Sequence, residues 1–327
     1  MHTKEKFHLT ARWMCFAVLI FAAVLRLGTQ PQVQSGLKRT AARVAARMQV
    51  RQEIPEETVA RSSYPVLQYA PPRRGTAVEL RPEDAALVDI RNGAEAEFDA
   101  EELIARPLKF DAGADGPLVL IVHTHGTEAY TPTAEDDYAA AGSYHTEDTR
   151  HNVVQVGQVL ADRLTARGVE TINDDTLCDQ ESYNDSYLRS AEVIEAYLEK
   201  YPSIQMVIDL HRDAIEDDEG NQLAMTAELE GERCARLLLV MGTNVSGMYH
   251  PDWEDNLSCA LKIQALCEKR FPGWFRQMSV RAQRYNEHLT PCSILLEVGT
   301  AGNTLEEATR SAEYFGDTLA DLLLSEK

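Results

Sequence analysis

The sequence predicts an α/β domain with a mostly parallel sheet flanked by helices, on three observations. Apolar runs of strand length recur at 118–122, 207–210, 237–241 and 294–298. Helical patterns fill the gaps between and after them, at 153–167, 191–199, 256–270 and 304–324. The strand runs are continuously apolar, as in strands covered on both faces, which is the habit of parallel sheets with helical crossovers.

Taken in order, the first run, LVLIV, passes directly into the polar segment HTHGTEAY. The first helix aligns Val153, Val156, Leu160 and Leu164 on one face, and Gly168 stops it. The run at 207–210 ends in HRDA, and the acidic stretch 216–219 beyond it reads as a solvated loop. The helix at 256–270 carries Cys259 and Cys267, which read as small buried hydrophobes. The last run, SILLEV, meets glycines before the final helix, for which Asn303 is a candidate cap. His145, His151, His250 and His288 fall in loops or at helix starts and read as solvent-exposed.

Upstream of this domain the texture differs. The apolar run WMCFAVLIFAAVL follows basic residues, is short for a spanning helix and lacks a small-x-small cleavage site, so it reads as an uncleaved signal anchor. Leu37, Ala41, Val44 and Met48 then recur at helical spacing among arginines and a lysine, a basic amphipathic pattern. Prolines at 55, 65, 71, 72 and 82 break any long helix after it. The expected layout is a cytoplasmic tail (1–12), a single-pass anchor (13–27), a spacer (28–116) and the α/β domain (117–327), which would lie outside the membrane.

The formal net charge of −20 is concentrated after residue 50, because residues 1–50 are basic. An acidic domain repels phosphate backbones, so nucleic acid is not an expected partner. The six cysteines match neither a zinc ribbon nor a disulfide framework. No GxSxG, Walker or GxGxxG motif occurs, which argues against serine hydrolases and nucleotide binding.

In open α/β sheets, ligands bind beyond the carboxyl ends of the strands. Three such ends carry chemistry here: His123, His125 and Glu128 after the first run, His211, Arg212 and Asp213 after the second, and Glu297 inside the last. Two nitrogens and a carboxylate with one position open is how catalytic zinc is held, and a further carboxylate serves hydrolysis as general base. HxH offers two histidines at one strand end, and one of the two is expected to face the site. The expected ligands are His125, Glu128 and His211, with His123 the alternate, and Glu297 the base. A salt bridge from Glu297 to Arg212 is the plain structural alternative.

At these motifs the chain resembles the stage II sporulation protein P family. HTHGTEAYTP, NVVQVG, YPSIQMVIDLHRDA, RYNEHL and LLEVGTAGNTLEEATRSAEYF carry the likeness, over about residues 117–324. The resemblance implies a peptidoglycan hydrolase, an N-acetylmuramoyl-L-alanine amidase with endopeptidase action on cross-links, working in forespore engulfment with stage II sporulation proteins D and M. It also implies a fold similar to zinc amidases of the third amidase class, with His211 and Glu297 on matching strand-end motifs. Arg284 and Asn286 of RYNEHL, with Arg212 and Asp213, are expected around the substrate. In those amidases the ligand glutamate precedes the first long helix, where this chain offers Glu147 or Asp148, and here it departs from the pattern. A carboxypeptidase-like metallopeptidase and an inactive wall-binding module are the competing readings; His125-x-x-Glu128 with a distant histidine suits the former.

Overall fold

The computed structural model describes residues 77–325. Seven strands form one sheet: β1 (Ile90–Asn92), β2 (Val119–Val122), β3 (Thr171–Asn173), β4 (Met206–Asp213), β7 (Leu237–Gly242), β8 (Met278–Arg281) and β9 (Ile294–Thr300), in the order β1-β8-β7-β9-β4-β2-β3. Between β4 and β7, a separate antiparallel hairpin joins β5 (Thr226–Leu229) to β6 (Glu232–Ala235). The helices among the described residues are α1 (Ala100–Ala105), α2 (Val153–Ala166), α3 (Ser186–Lys200), α4 (Trp253–Arg270) and α5 (Leu305–Leu324).

Local chemistry fixes the helix ends. Asn152 caps α2 by accepting a hydrogen bond from Val154 N at 3.0 Å, and Gly168, at φ +93°, turns the chain away after its last residues. Thr304 and Glu307 form a reciprocal capping box at the start of α5. Asn303 therefore is not that cap: its Oδ1 accepts from Thr300 N and Met225 N, tying the end of β9 to the chain entering the hairpin.

One face of the sheet carries the main core. Val119 and Ile121, Ile208 and Leu210, Leu237 and Leu239, and Ile294 and Leu296 all enter one cluster with the buried faces of α2, α4 and α5. Each such side chain contributes about 1.5–3 kcal/mol by leaving water. On the opposite face α3 packs against β2. Beyond β4, towards β1, that face is not filled by the main core; Leu295, Leu238 and Val240 form a small cluster of their own with Tyr285 against it.

Two expectations need correction. The sheet is mostly parallel, but β7 runs antiparallel to β9, so β7, β8 and β1 point opposite to β9, β4, β2 and β3. An apolar run has no direction, so nothing in the sequence displays this reversal. The boundary at 117 also falls inside the folded unit. Val88, Leu103, Ile104 and Phe110 are part of the main core, and β1 pairs with β8. A three-residue strand and a six-residue helix carry too few positions for a periodicity to register. The tail, the apolar run at 13–27 and the basic amphipathic pattern lie outside the described residues. No helix among the described residues is long and apolar enough to cross a membrane.

Candidate metal centre

The site begins where β2 runs out. His125 O accepts a hydrogen bond from Glu128 N at 3.1 Å, a one-turn reversal that brings the two side chains together. Gly126 permits it through space: a Cβ there would come within 2.8 Å of Leu177 Cδ2 and 3.3 Å of its Cα. On β4, alternation puts Asp209 and His211 on one face. His211 is registered directly against Glu297 of β9, so three strands deliver four groups to one place.

The structure brings His125, Glu128 and His211 within 4.8 Å of one another by one donor atom each, all three buried. Glu128 Oε1 lies 3.6 Å from His125 Nδ1, and Glu128 Oε2 lies 3.3 Å from His211 Nδ1. The far nitrogen of His211, Nε2, lies 3.0 Å from Asp209 Oδ1 as a charge contact without hydrogen-bond geometry, while Nδ1 is turned towards the cluster. Asp209 is itself anchored, accepting from Thr124 N at 2.9 Å and from the Thr124 hydroxyl at 2.6 Å. A carboxylate behind the outer nitrogen of a metal-binding histidine is the usual means of orienting it. His125 Nε2 is buried without a hydrogen-bond partner, and Tyr183 stacks on the ring at 4.2 Å between centroids.

Electrostatics bind the cluster together. Burial pushes Glu128 up, but hydrogen bonds from His125 and His211 and the nearby Arg212 charge outweigh it and hold the carboxyl well below its ordinary range. Burial pulls His211 down, yet Asp209 and Glu128 overcome it and the ring stays protonated well above its usual value. Two imidazoles and a charge-compensated carboxylate therefore fit a divalent cation, which would take the place of the His211 proton. Among the described residues this is the cluster able to hold a metal ion.

Glu297 stands beside the cluster without joining it. One edge of it opens to the groove, but the surrounding protein strips enough water to raise its carboxyl to about 8, with the Glu128 and Asp213 charges adding to that and His211 opposing it. Its Oε2 has no partner. Arg212 does not pair with it. Beyond His211 the β4–β9 register slips, and Arg212 turns back to Glu128, donating from its backbone N to Oε2 at 3.1 Å and from Nε to Ala129 O at 2.9 Å. The plain salt-bridge explanation of Glu297 thus fails.

Of the other expected residues, Arg212 and Asp213 line the groove and the rest do not. His123 lies on the core face with both ring nitrogens engaged, one 3.0 Å from Leu210 O and one 3.0 Å from Asn173 Oδ1. Asp213 accepts an ion pair from Arg276 at 2.7 Å. Arg284 donates to Tyr249 O, and Asn286 donates to Tyr187 O at 2.8 Å, so neither lines the groove. Glu147 accepts from Gln180 and Asp148 pairs with Arg150, both away from the cluster. His250, read as exposed, is fully buried 3.8 Å from Glu287.

A family model described as Stage II sporulation protein P matches residues 39–320. The chain belongs to the Stage II sporulation protein P family. Its similarity to Stage II sporulation protein P of Bacillus subtilis (strain 168) is 28% identity over 219 residues, 64% of this chain and 51% of that protein. It therefore spans about half the length of the curated relative it matches. Among solved structures, an N-acetylmuramoyl-L-alanine amidase, AmiC2 of Nostoc punctiforme, is similar at 12% identity and a TM-score of 0.37, over 65% of this chain and 96% of that one. The CwlD amidase from Clostridioides difficile, solved in complex with the GerS lipoprotein, is similar at 15% identity and a TM-score of 0.34, over 64% and 95%.

Sequence reasoning saw Asp209 at the strand edge without giving it a role, and it missed Tyr183 and Tyr187. Asp209 was readable: a residue two before His211 on a strand shares its face. The tyrosines arrive on the segment leading into α3, far from any strand end, and only the fold reveals them.

Proposed function

We propose that this chain is a zinc-dependent peptidoglycan hydrolase of sporulation that cleaves the amide between N-acetylmuramic acid and L-alanine, with endopeptidase action on cross-links as a related activity. Membership of the sporulation family supports the setting. The observation that carries the chemistry is the convergence of His125, Glu128 and His211 beside an unpaired Glu297 in one groove. The segment 13–27 would hold the chain at the membrane with this domain outside, where the wall lies.

Zinc held by His125, Glu128 and His211 would polarise the scissile carbonyl and make water a stronger acid. Glu297, with a free oxygen facing the groove, takes the proton from the attacking water and returns it to the amide nitrogen. The carbon–nitrogen bond then breaks, leaving a lactyl carboxylic acid and a free alanine amine. Asp209 keeps the His211 ring turned to the cluster throughout, and Arg212 fixes Glu128 from behind.

The test uses the full chain in detergent with purified cell wall. Zinc near one per chain, loss of activity on chelation with recovery on zinc, and new alanine amino termini are expected. Replacing Glu297 by Gln should lower hydrolysis about 10²–10⁴-fold while leaving zinc in place. Wild-type turnover by His211→Ala, or cleavage that frees no alanine amine, would overturn the assignment.

A further inference from the structure

The groove does not stop at Glu297. On β9, Leu295 and Glu297 share a face; across the antiparallel pairing they meet Val240 and Leu238 of β7. Val240 is registered against Ser279 of β8, and Ser279 against Arg91 of β1. The opposite face of these strands belongs to the main core, so this row is the outward one. The result is a trough of about 660 Å³ whose floor is aliphatic near Glu297 and whose far end carries Arg91 and Arg281.

Those two arginines are unusual in a chain with a net charge of −20. Among the described residues neither makes an ion pair, whereas Arg276 at the rim is neutralised by Asp213. Arg281 is held by its Nε, which donates to Ser279 Oγ at 2.7 Å, and it lines the trough with no ion-pair partner for its terminal nitrogens among the described residues. A guanidinium presented in this way is shaped to receive a carboxylate through two parallel hydrogen bonds. The floor of Leu295, Val240 and Leu238 suits aliphatic side chains such as alanine.

Resting on the hydrolase reading, we propose that the β9–β7–β8–β1 face binds the acidic peptide arm of the substrate, with Arg281 and Arg91 as its carboxylate receptors. Three strand spacings of about 4.8 Å separate β9 from β1, roughly 14 Å. An extended peptide covers that in about four residues. The enzyme thereby recognises its substrate by the peptide side of the cleaved bond, through carboxylates about two to four residues from it.

The experiment measures binding without turnover, in the full-length Glu297→Gln chain. The probes are a tetrapeptide, L-Ala-γ-D-Glu-L-Lys-D-Ala, with free carboxylates, its twin with both carboxylates amidated, and a neutral chitotetraose. The free acid should bind at least tenfold more tightly than the amidated twin, and less so as salt rises. Arg281→Ala and Arg91→Ala should each weaken the acid about tenfold and leave the twin unchanged, with melting temperature unaltered. Equal affinity for acid and twin would overturn the proposal, as would indifference to both substitutions or displacement of the peptide by chitotetraose. Cleavage of wall by the wild type alongside equal affinities would sink the groove alone. Discrimination between acid and twin by a chain that never cleaves wall would sink the hydrolase reading and leave the groove standing.

Discussion

Replacing Asp209 by Asn isolates the charge behind His211. Asp209 Oδ1 faces two N–H donors, Thr124 N at 2.9 Å and His211 Nε2 at 3.0 Å, and its Oδ2 accepts from the Thr124 hydroxyl at 2.6 Å. Asn is nearly isosteric. With its carbonyl oxygen at the Oδ1 position it keeps both N–H partners, and the Thr124 hydroxyl, 2.7 Å from Ser190 Oγ, can rotate to accept from the new amide. The fold should therefore survive, and the full negative charge alone is removed. A carboxylate behind a ligand histidine is worth about 10–100-fold in metal affinity, or roughly 1.4–2.7 kcal/mol. Zinc affinity measured by chelator competition should fall by that factor, while a denaturant titration of the zinc-free chain shifts little. Asp209→Ala is the contrasting variant: it orphans Thr124 N, at about 1–3 kcal/mol for that buried group, and should cost stability as well. Unchanged zinc affinity in Asp209→Asn would refute the role given to Asp209, and loss of folding would refute the isosteric argument.

Two further outcomes test the packing around the site. Gly157→Ala should destabilise the chain by about 1–3 kcal/mol in chemical denaturation, because its Cβ would collide with Asn173 Oδ1 and come within 2.7 Å of the His123 ring, prising apart a buried hydrogen bond. Asp174 is buried and its carboxyl is raised by that burial to about 6, although Thr176 N and the Tyr197 hydroxyl donate to it. The folded form holds this proton more tightly than the unfolded form, so the stability it lends is full below about pH 4 and lost as pH rises through 6. The difference in unfolding free energy between Asp174→Asn and wild type should move in favour of the variant by about 2 kcal/mol from pH 4 to pH 7; a pH-independent difference would rule this out.

What the sequence made legible was whatever depends on local pattern. The four long strands and four long helices lie where their apolar runs and periodicities fall, and His125, Glu128, His211 and Glu297 were found because polar residues at the ends of apolar strands stand out. What stayed hidden depends on pairing. His123 and His125 are equivalent on paper; β2 ends at Val122, and the reversal that follows leaves the former on the core face and carries the latter to the groove. The short strands β1 and β8 carry no readable period, yet they complete the sheet and bring Arg91 and Arg281 to it.

The reversal at β7 has the largest consequence of these hidden features. Had β7 run parallel to β9 and hence to β4, the strand that precedes it in the main sheet, a crossover would have been needed from β4 to β7, and the face beside Glu297 would have been the natural place for it. In the observed order the connection from β7 to β8 runs through α4, which lies with the main core, and the site face beyond β9 keeps only Tyr285 against its small aliphatic cluster. The same reversal sets the strand registers, so that Leu238 faces Glu297 and Ser279 faces Val240. An open trough beginning at the proposed base is thus a product of topology, and the arginines at its far end are positioned by strands that individual sequence windows cannot identify.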